Sequence, residues 1–340
     1  MLLRLPSFLE PPWHTDEGIF AAVAQRVLSG GGLYSDAWES KPPLFLYLYV
    51  AVLKVFGPGI FGLRFMATLF AVGTHVVLFF IALRFMSTRR ALVATALTGL
   101  LLGVPFWEGT LALTETFTVL PAALGVLCVL LWDEREAAAP IALLRGGSEG
   151  VQRPARPPDG STPRQRGNRL LLVVAGAFFG IAFLLRQTSI AAPAAAGIWF
   201  LLRGRPVLRP GLISAAAFAA IVVPVVGGFE LFGDSHWFWD ANVGFFFKYV
   251  PSGQQLPFGT RPVIVLPFLI VVAALWLARR RQRATPEWGL PALWLTLTLA
   301  GALLTGRPYP HYLLQTFPPL AMLVAMAAPA LRAHSSSPSV

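Results

Sequence analysis

Charge is scarce in this sequence, and acid is scarcer than base. Only 13% of the 340 residues are charged, against 56% hydrophobic, whereas a soluble globule carries charge on about a quarter of its residues. Asp and Glu number 16 against 27 Lys and Arg. Cys128 is the single cysteine and sits inside an apolar run, so no intrachain disulfide can form and the redox compartment leaves no trace. No internal repeat is evident. Nothing here describes a water-soluble core. The long apolar runs that remain are what a bilayer buries.

The formal net charge of +11 would suggest nucleic acid in a soluble protein. Here the arginines lie in short segments between apolar runs, as in membrane proteins, and a nucleic-acid partner is set aside. Runs near the roughly 20 residues that a crossing requires fall at Phe61–Phe85, Ala91–Trp107, Leu113–Trp132, Leu170–Leu185, Thr188–Leu202, Gly211–Leu231, Pro262–Leu277, Trp288–Thr305 and Tyr312–Leu331. The pattern predicts an all-α polytopic membrane protein with about nine crossings. Leu44–Phe56 is too short to span, ends at Gly57-Pro58-Gly59, and is predicted to be an interfacial or re-entrant helix.

Charge orients this map. Alternate connecting segments (Arg84–Arg90, Asp133–Arg169, Arg203–Arg209, Arg279–Glu287 and the tail after Leu331) hold 18 Lys/Arg and 6 Asp/Glu; the other side holds 9 and 10. The positive side is predicted to be cytoplasmic. The resulting domain reading is an N-terminal catalytic membrane region over 1–132 with an outer loop over 10–60. A disordered, Pro-, Gly- and Arg-rich cytoplasmic connector over 133–169 comes next. A second membrane region over 170–331 has an outer loop over 232–261, and a cytoplasmic tail covers 332–340. With the first loop outside, an initial crossing is expected upstream of Met1.

The residues that bear chemistry gather on the outer side. Asp16 and Glu17 open an amphipathic period (Ile19, Phe20, Val23, Val27); they read either as carboxylates favoured by a helix N-terminus or as an acid–base pair. Gly30-Gly31-Gly32 turns the chain through "LYSDAWES", with Tyr34 and Trp38, into Lys41-Pro42-Pro43. Lys41 either snorkels to headgroups or offers a point cation to a phosphate at that depth. Glu115 stands near the outer end of an apolar run, where an ionisable group is costly and marks function. Arg186-Gln187 interrupts another. Asp240 and Asn242 sit among Trp237, Trp239, Phe245, Phe246 and Phe247, either an aromatic belt or a sugar- or polyprenyl-recognition surface. Arg307, Tyr309, His311 and Tyr312 begin the last crossing. His14 and His311 are the histidines a divalent metal would use; no ligand spacing supports one, so a divalent metal is left open and no other cofactor is indicated.

These pieces in this order resemble the GT-C membrane glycosyltransferases, in the branch of the protein O-mannosyltransferases and aminoarabinose transferases. The resemblance rests on Asp16-Glu17, the Gly turn with Leu33-Tyr34, Lys41-Pro42-Pro43-Leu44, a following Phe-Gly with Arg64, Glu115 opening a later helix, and Pro310-His311-Tyr312 before Pro318. It implies a GT-C bundle and a polyprenyl-phosphate sugar donor. It also implies transfer with inversion, on the outer face of the cell membrane, to a hydroxyl on a lipid, glycan or protein acceptor. By the same resemblance Asp16 is the general base, and Glu17 and Glu115 orient base or acceptor. Lys41, Arg186 and Arg307 bind the donor phosphate, and Tyr34, Trp38, Asp240, Asn242, His311 and Tyr312 contact substrate. Ile19-Phe20 stand where aminoarabinose transferases carry Arg-Tyr, and Ser40 stands where they place an acid before the lysine, so neither aminoarabinose nor lipid A is implied. The alternatives are a flippase of lipid-linked sugars or a non-catalytic membrane protein. A flippase would place charges deep in several crossings and repeat its halves, and this sequence does neither.

Overall fold

The computed structural model describes residues 2–9, 15–137, 163–232, 235–249, 288–303 and 309–328. Among them every regular element is helical, apart from one isolated bridge between Leu33 and Ala37. The α-helices are α1 (Thr15–Leu28), α2 (Pro43–Phe56), α3 (Ile60–Ala82), α4 (Thr88–Gly103), α5 (Thr114–Ala137), α6 (Pro163–Leu185), α7 (Ala191–Leu202), α8 (Leu208–Leu231), α9 (Ser235–Trp239), α10 (Phe245–Tyr249), α11 (Gly289–Leu303) and α12 (Phe317–Ala327). Short 3-10 segments cover Leu2–Phe8, Pro105–Trp107, Gln187–Ile190 and Pro310–Thr316, and a π-helical turn covers Asp240–Gly244. Four helices are long and apolar enough to cross a bilayer: α3, α5, α6 from Asn168, and α8. The chain is a multi-pass membrane protein. A helix overlaps each other expected crossing within the described residues, but α4, α7, α11 and α12 have 16, 12, 15 and 11 residues, short of a full crossing; Pro262–Leu277 lies outside the described residues.

Helix α5 is the axis of the bundle, packed between α3 and α6, with α7 also against it. Small residues let the helices approach. Gly125 on α5 accepts the Phe179 ring of α6, where a Cβ would clash. Gly176 and Gly180 face α8, where a Cβ on Gly176 would strike the Ser214 carbonyl. This Gly-x-x-x-Gly spacing puts backbones in contact, which matters in lipid because apolar burial alone drives no association there. Ser214 Oγ then donates to the Leu172 carbonyl at 3.0 Å. Helix α8 otherwise leaves its apolar surface uncovered by the described residues, at no cost to a helix bathed in hydrocarbon.

The helix ends explain how charge is sorted. At the C-terminal end of α5, Glu134 takes Arg84 at 2.6 Å, Asp133 takes Arg203 and Arg205 at 3.2 Å each, and Asn168 donates to Glu136 at 2.7 Å. Residues expected on one side of the membrane therefore meet at one end of the bundle. The connector expected from Asp133 to Arg169 is helical where it is described: α5 runs on to Ala137 and α6 starts at Pro163. The polar pairs just named stabilise the first of those turns beyond the apolar layer. Residues 138–162 and the tail 332–340 lie outside the described residues.

The opposite end is held by a buried ion pair. Glu17 and Arg64 have side chains with 0% exposure, and Arg64 Nη2 meets Glu17 Oε2 at 2.9 Å. The Ala112 amide donates to Glu17 Oε1 at 2.8 Å, Tyr49 Oη donates to the Ala112 carbonyl at 2.5 Å, and Arg64 Nη1 donates to the Ser7 carbonyl. Four separate segments converge on this pair. Arg4 adds a latch, donating to the Gly109 carbonyl at 2.6 Å, and burial lowers its pKa to about 10, so it stays charged at neutral pH. Removing one partner of a buried pair strands the other, at about 3–5 kcal/mol. Arg64→Leu should therefore destabilise the detergent-solubilised chain by that order, and Glu17→Leu/Arg64→Leu should recover most of the loss. Thermal aggregation tracked by gel filtration checks both.

Candidate functional site

A cavity of about 410 Å³ opens at this same end, lined by Thr15, Asp16, Ser40, Lys41, Phe245, Phe246, Tyr249, Tyr309, His311 and Tyr312. Its residues come from four places in the chain, and each is placed by a local rule. Asp16 sits in the first turn of α1, where the helix dipole favours a carboxylate. Lys41 is fixed by the two prolines after it: Pro42 caps α2 in an extended conformation and Pro43 opens the helix, so the residue before them cannot be helical. The Pro310–Thr316 turn carries His311 and Tyr312, and α10 supplies the aromatic wall.

Tyr34 holds Lys41 from beneath. It is fully buried, and its hydroxyl donates to the Lys41 carbonyl at 2.7 Å. Its ring lies against Phe229 and Phe238, with centroids at 5.4 and 5.8 Å. Burial pushes its hydroxyl well above the usual phenol range, so it stays a donor at any working pH. Its backbone is left-handed, φ 73°, a conformation that costs an ordinary residue about 1–2 kcal/mol. The ammonium of Lys41 lies 3.8 Å from Glu39 Oε1 and 5.5 Å from the Phe20 ring centroid. An acid absent from the position directly before the lysine thus reaches it from one residue further back. Ser40 makes this geometry possible by donating its amide to Glu39 Oε1 at 2.8 Å.

Behind the cavity lies a polar layer. Glu115, buried in the first turn of α5, forms an ion pair with Arg186 and accepts from Thr114 Oγ1 at 2.6 Å. Arg186 also donates to Thr114 and Thr188 hydroxyls at 3.0 Å and stacks over Tyr312 at 4.7 Å. His311 Nδ1 lies 2.5 Å from Glu108 Oε2, while Nε2 faces Glu115 Oε1 at 3.9 Å.

The expected site residues divide by this geometry. Asp16, Lys41, His311 and Tyr312 line one cavity. Glu17 does not join Asp16 there: consecutive helical residues point to different sides, and Glu17 faces inward onto Arg64. Tyr34 is a core residue beneath Lys41 rather than a wall of the cavity, because its ring packs against Phe229 and Phe238. Glu115 and Arg186 stand one layer back, committed to each other. Trp38 braces the wall from outside, edge-on to Phe245 at 5.3 Å. Asp240 pairs with Lys248 at 3.2 Å. Asn242, buried in the π turn, accepts from Gln187 at 3.3 Å and donates to the Phe238 carbonyl at 3.1 Å, which ties the aromatic wall to the bundle. Arg307 and His14 lie outside the described residues. Among the described residues no group of three or more metal-ligating side chains forms a metal site. Sequence reasoning passed over Tyr249 and Glu108. The available signal for Glu108 was an acid followed by glycine in a short turn between two apolar helices.

Tyr34→Phe tests the support of Lys41, since it deletes one hydroxyl, which also meets Asn242, and no packing. Losing that donor should cost about 1–3 kcal/mol and free the Lys41 loop, seen as faster labelling of Lys41 by an amine-reactive ester in peptide mass spectra.

No protein-family model and no curated protein matches the sequence. Solved structures do. ArnT, the aminoarabinose transferase, from Cupriavidus metallidurans, bound to undecaprenyl phosphate, superposes with a TM-score of 0.64 at 19% identity, over 92% of this chain and 55% of that one. Its apo state gives 0.63 at 20%, over 92% and 54%. The oligosaccharyltransferase AglB from Archaeoglobus fulgidus, in complex with an inhibitory peptide and a dolichol-phosphate, gives 0.51 at 12%, over 90% and 45%. The chain thus spans about half the length of the solved structures it matches. Its fold is that of the GT-C membrane glycosyltransferases.

Proposed function

We propose that this protein is a membrane glycosyltransferase that moves a sugar from a polyprenyl-phosphate donor to an acceptor hydroxyl. The observation that carries the reading is the meeting of Asp16 and Lys41 in one cavity with His311 and Tyr312. A carboxylate and an ammonium across such a space are what displacement at a phosphate-linked carbon requires. Asp16 takes the proton from the acceptor hydroxyl as its oxygen attacks the anomeric carbon. The bond from that carbon to the phosphate oxygen breaks on the opposite side, so the product is inverted. Lys41 takes up the charge that develops on the leaving phosphate. Arg186 supports that charge from behind Tyr312, and Arg307 is the further cation the sequence offers.

Two things support the class. The fold neighbours include one bound to undecaprenyl phosphate and one in complex with a dolichol-phosphate. The cavity end of the bundle also coincides with the side that the arginine bias assigns to the exterior, which fits a multi-pass protein of the cell membrane acting on its outer face. The apolar helices keep the lipid tail in hydrocarbon while the phosphate sits at headgroup depth.

Membranes containing the chain should release sugar from a polyprenyl-phosphate pentose or hexose in the presence of acceptor lipids. Asp16→Asn should lower kcat roughly 10²- to 10⁴-fold, the usual contribution of a positioned base. Lys41→Ala should weaken phosphate binding, raising KM along with lowering kcat. Turnover that survives in Asp16→Asn would remove Asp16 as the base. Folded, inserted protein with no turnover on any donor would remove the reaction class.

A further inference from the structure

Two residues other than glycine have left-handed backbones among the described residues, Tyr34 at φ 73° and Glu108 at φ 58°. Both hydrogen-bond to a residue that lines the cavity: Tyr34 to the Lys41 carbonyl and Glu108 to the His311 ring. Neither tyrosine nor glutamate is a residue that this conformation favours; glycine, asparagine and aspartate are. Strain of this kind persists only where the surroundings impose it, and it gathers at functional sites.

The surroundings of Glu108 do impose it. The turn from Pro105 to Trp107 ends at Glu108. Its amide donates to the Pro105 carbonyl at 2.8 Å and its carbonyl accepts from the Leu111 amide at 3.1 Å. Arg4 grips the next carbonyl, that of Gly109, at 2.6 Å, and a Cβ on Gly109 would lie 2.6 Å from the Leu102 carbonyl oxygen. The backbone is clamped on both sides, and the carboxylate is delivered to His311 Nδ1 at 2.5 Å. An ionised carboxylate only accepts, so against ionised Glu108 it is Nδ1 that carries the proton. Nε2 is then turned to the Glu115 side of the site. The imidazole is further braced by Tyr309, stacked at 5.6 Å, and Tyr312, edge-on at 4.8 Å.

We infer that Glu108 is a positioning residue that fixes the tautomer and orientation of His311, and so the face this cavity shows to its substrate. The inference deepens the glycosyltransferase reading and rests on it for its kinetic arm. Glutamate at φ 58° is a poor choice for folding; its presence here is explained by the carboxylate. A glycine there would relieve the backbone and lose the ring's partner, so stability and activity should move in opposite directions.

The test uses the full chain in membranes and in detergent, comparing wild type with Glu108→Gly and Glu108→Gln. For Glu108→Gly we expect a melting temperature equal to or above wild type. Its kcat should be lower by on the order of tenfold to a hundredfold, as small misplacements in a site produce, with little change in donor KM. Glu108→Gln, which still offers a carbonyl oxygen to Nδ1, should recover part of kcat. A second readout needs no turnover: modification of His311 by diethyl pyrocarbonate, located by peptide mass spectrometry, should be faster in Glu108→Gly because the ring is released. Wild-type kcat with an unchanged modification rate in Glu108→Gly overturns the inference. So does a lower melting temperature in Glu108→Gly with no recovery in Glu108→Gln, which would make the contact a structural tie alone. If no donor turns over in wild type, the enzyme reading fails, and the modification rates alone decide whether Glu108 positions His311.

Discussion

The cavity end of this protein depends on one ion pair sealed from solvent. Glu17 and Arg64 have no exposed side-chain surface, so the pair must be matched by further hydrogen bonds, and it is: the Ala112 amide and the Ser7 carbonyl close its remaining valences. The consequence is positional. The segment at Ser7, the start of α1, helix α3 and the loop leading into α5 are fixed relative to one another by a single charge contact. Glu108, Asp16 and Glu115 lie on segments that the pair locates. Charge here specifies geometry more than it supplies stability, since apolar residues of the same shape often serve a core as well.

The bundle around that pair obeys the rules of a lipid solvent. Close helix approach comes from Gly125, Gly176 and Gly180, while large apolar side chains on α8 stay uncovered by the described residues. Polar groups collect at the two ends. One end holds the Asp133 and Glu134 pairs with arginines, and the other holds the layered site of Glu115, Arg186, His311 and Glu108. The second group differs from the first in burial, in its mixture of acid, imidazole and guanidinium, and in facing a cavity.

Much of this could be read from residues in order. The apolar runs gave the helices because bilayer thickness fixes their length. Lys41-Pro42-Pro43 was legible because proline restricts both itself and its predecessor. Pairing was less legible. Asp16 and Glu17 read as a unit in sequence, yet the helical turn sends them apart, one toward the cavity and one into the core. Tyr34 looked like a contact residue, because nothing in a linear pattern distinguishes a tyrosine under a loop from one over a cavity. Glu108 was invisible as a partner of His311, being 203 positions away; only a folded chain brings such residues together.

The two sides of the cavity are attached in different ways. Asp16 begins a helix whose next residue is the buried Glu17, and Lys41 precedes α2, whose Tyr49 reaches the Ala112 carbonyl beside that same ion pair. The facing aromatics, Phe245, Phe246 and Tyr249, belong to a short helix after a π turn, joined to the bundle through Asn242 and Gln187. The wall meets the anchored side through ring contacts, Trp38 with Phe245 and Tyr34 with Phe238, and not through the Glu17–Arg64 pair. Substitutions along the aromatic wall can therefore reshape the cavity while the sealed ion pair stays intact, so the width of the opening is adjustable at positions where foldedness is not at stake.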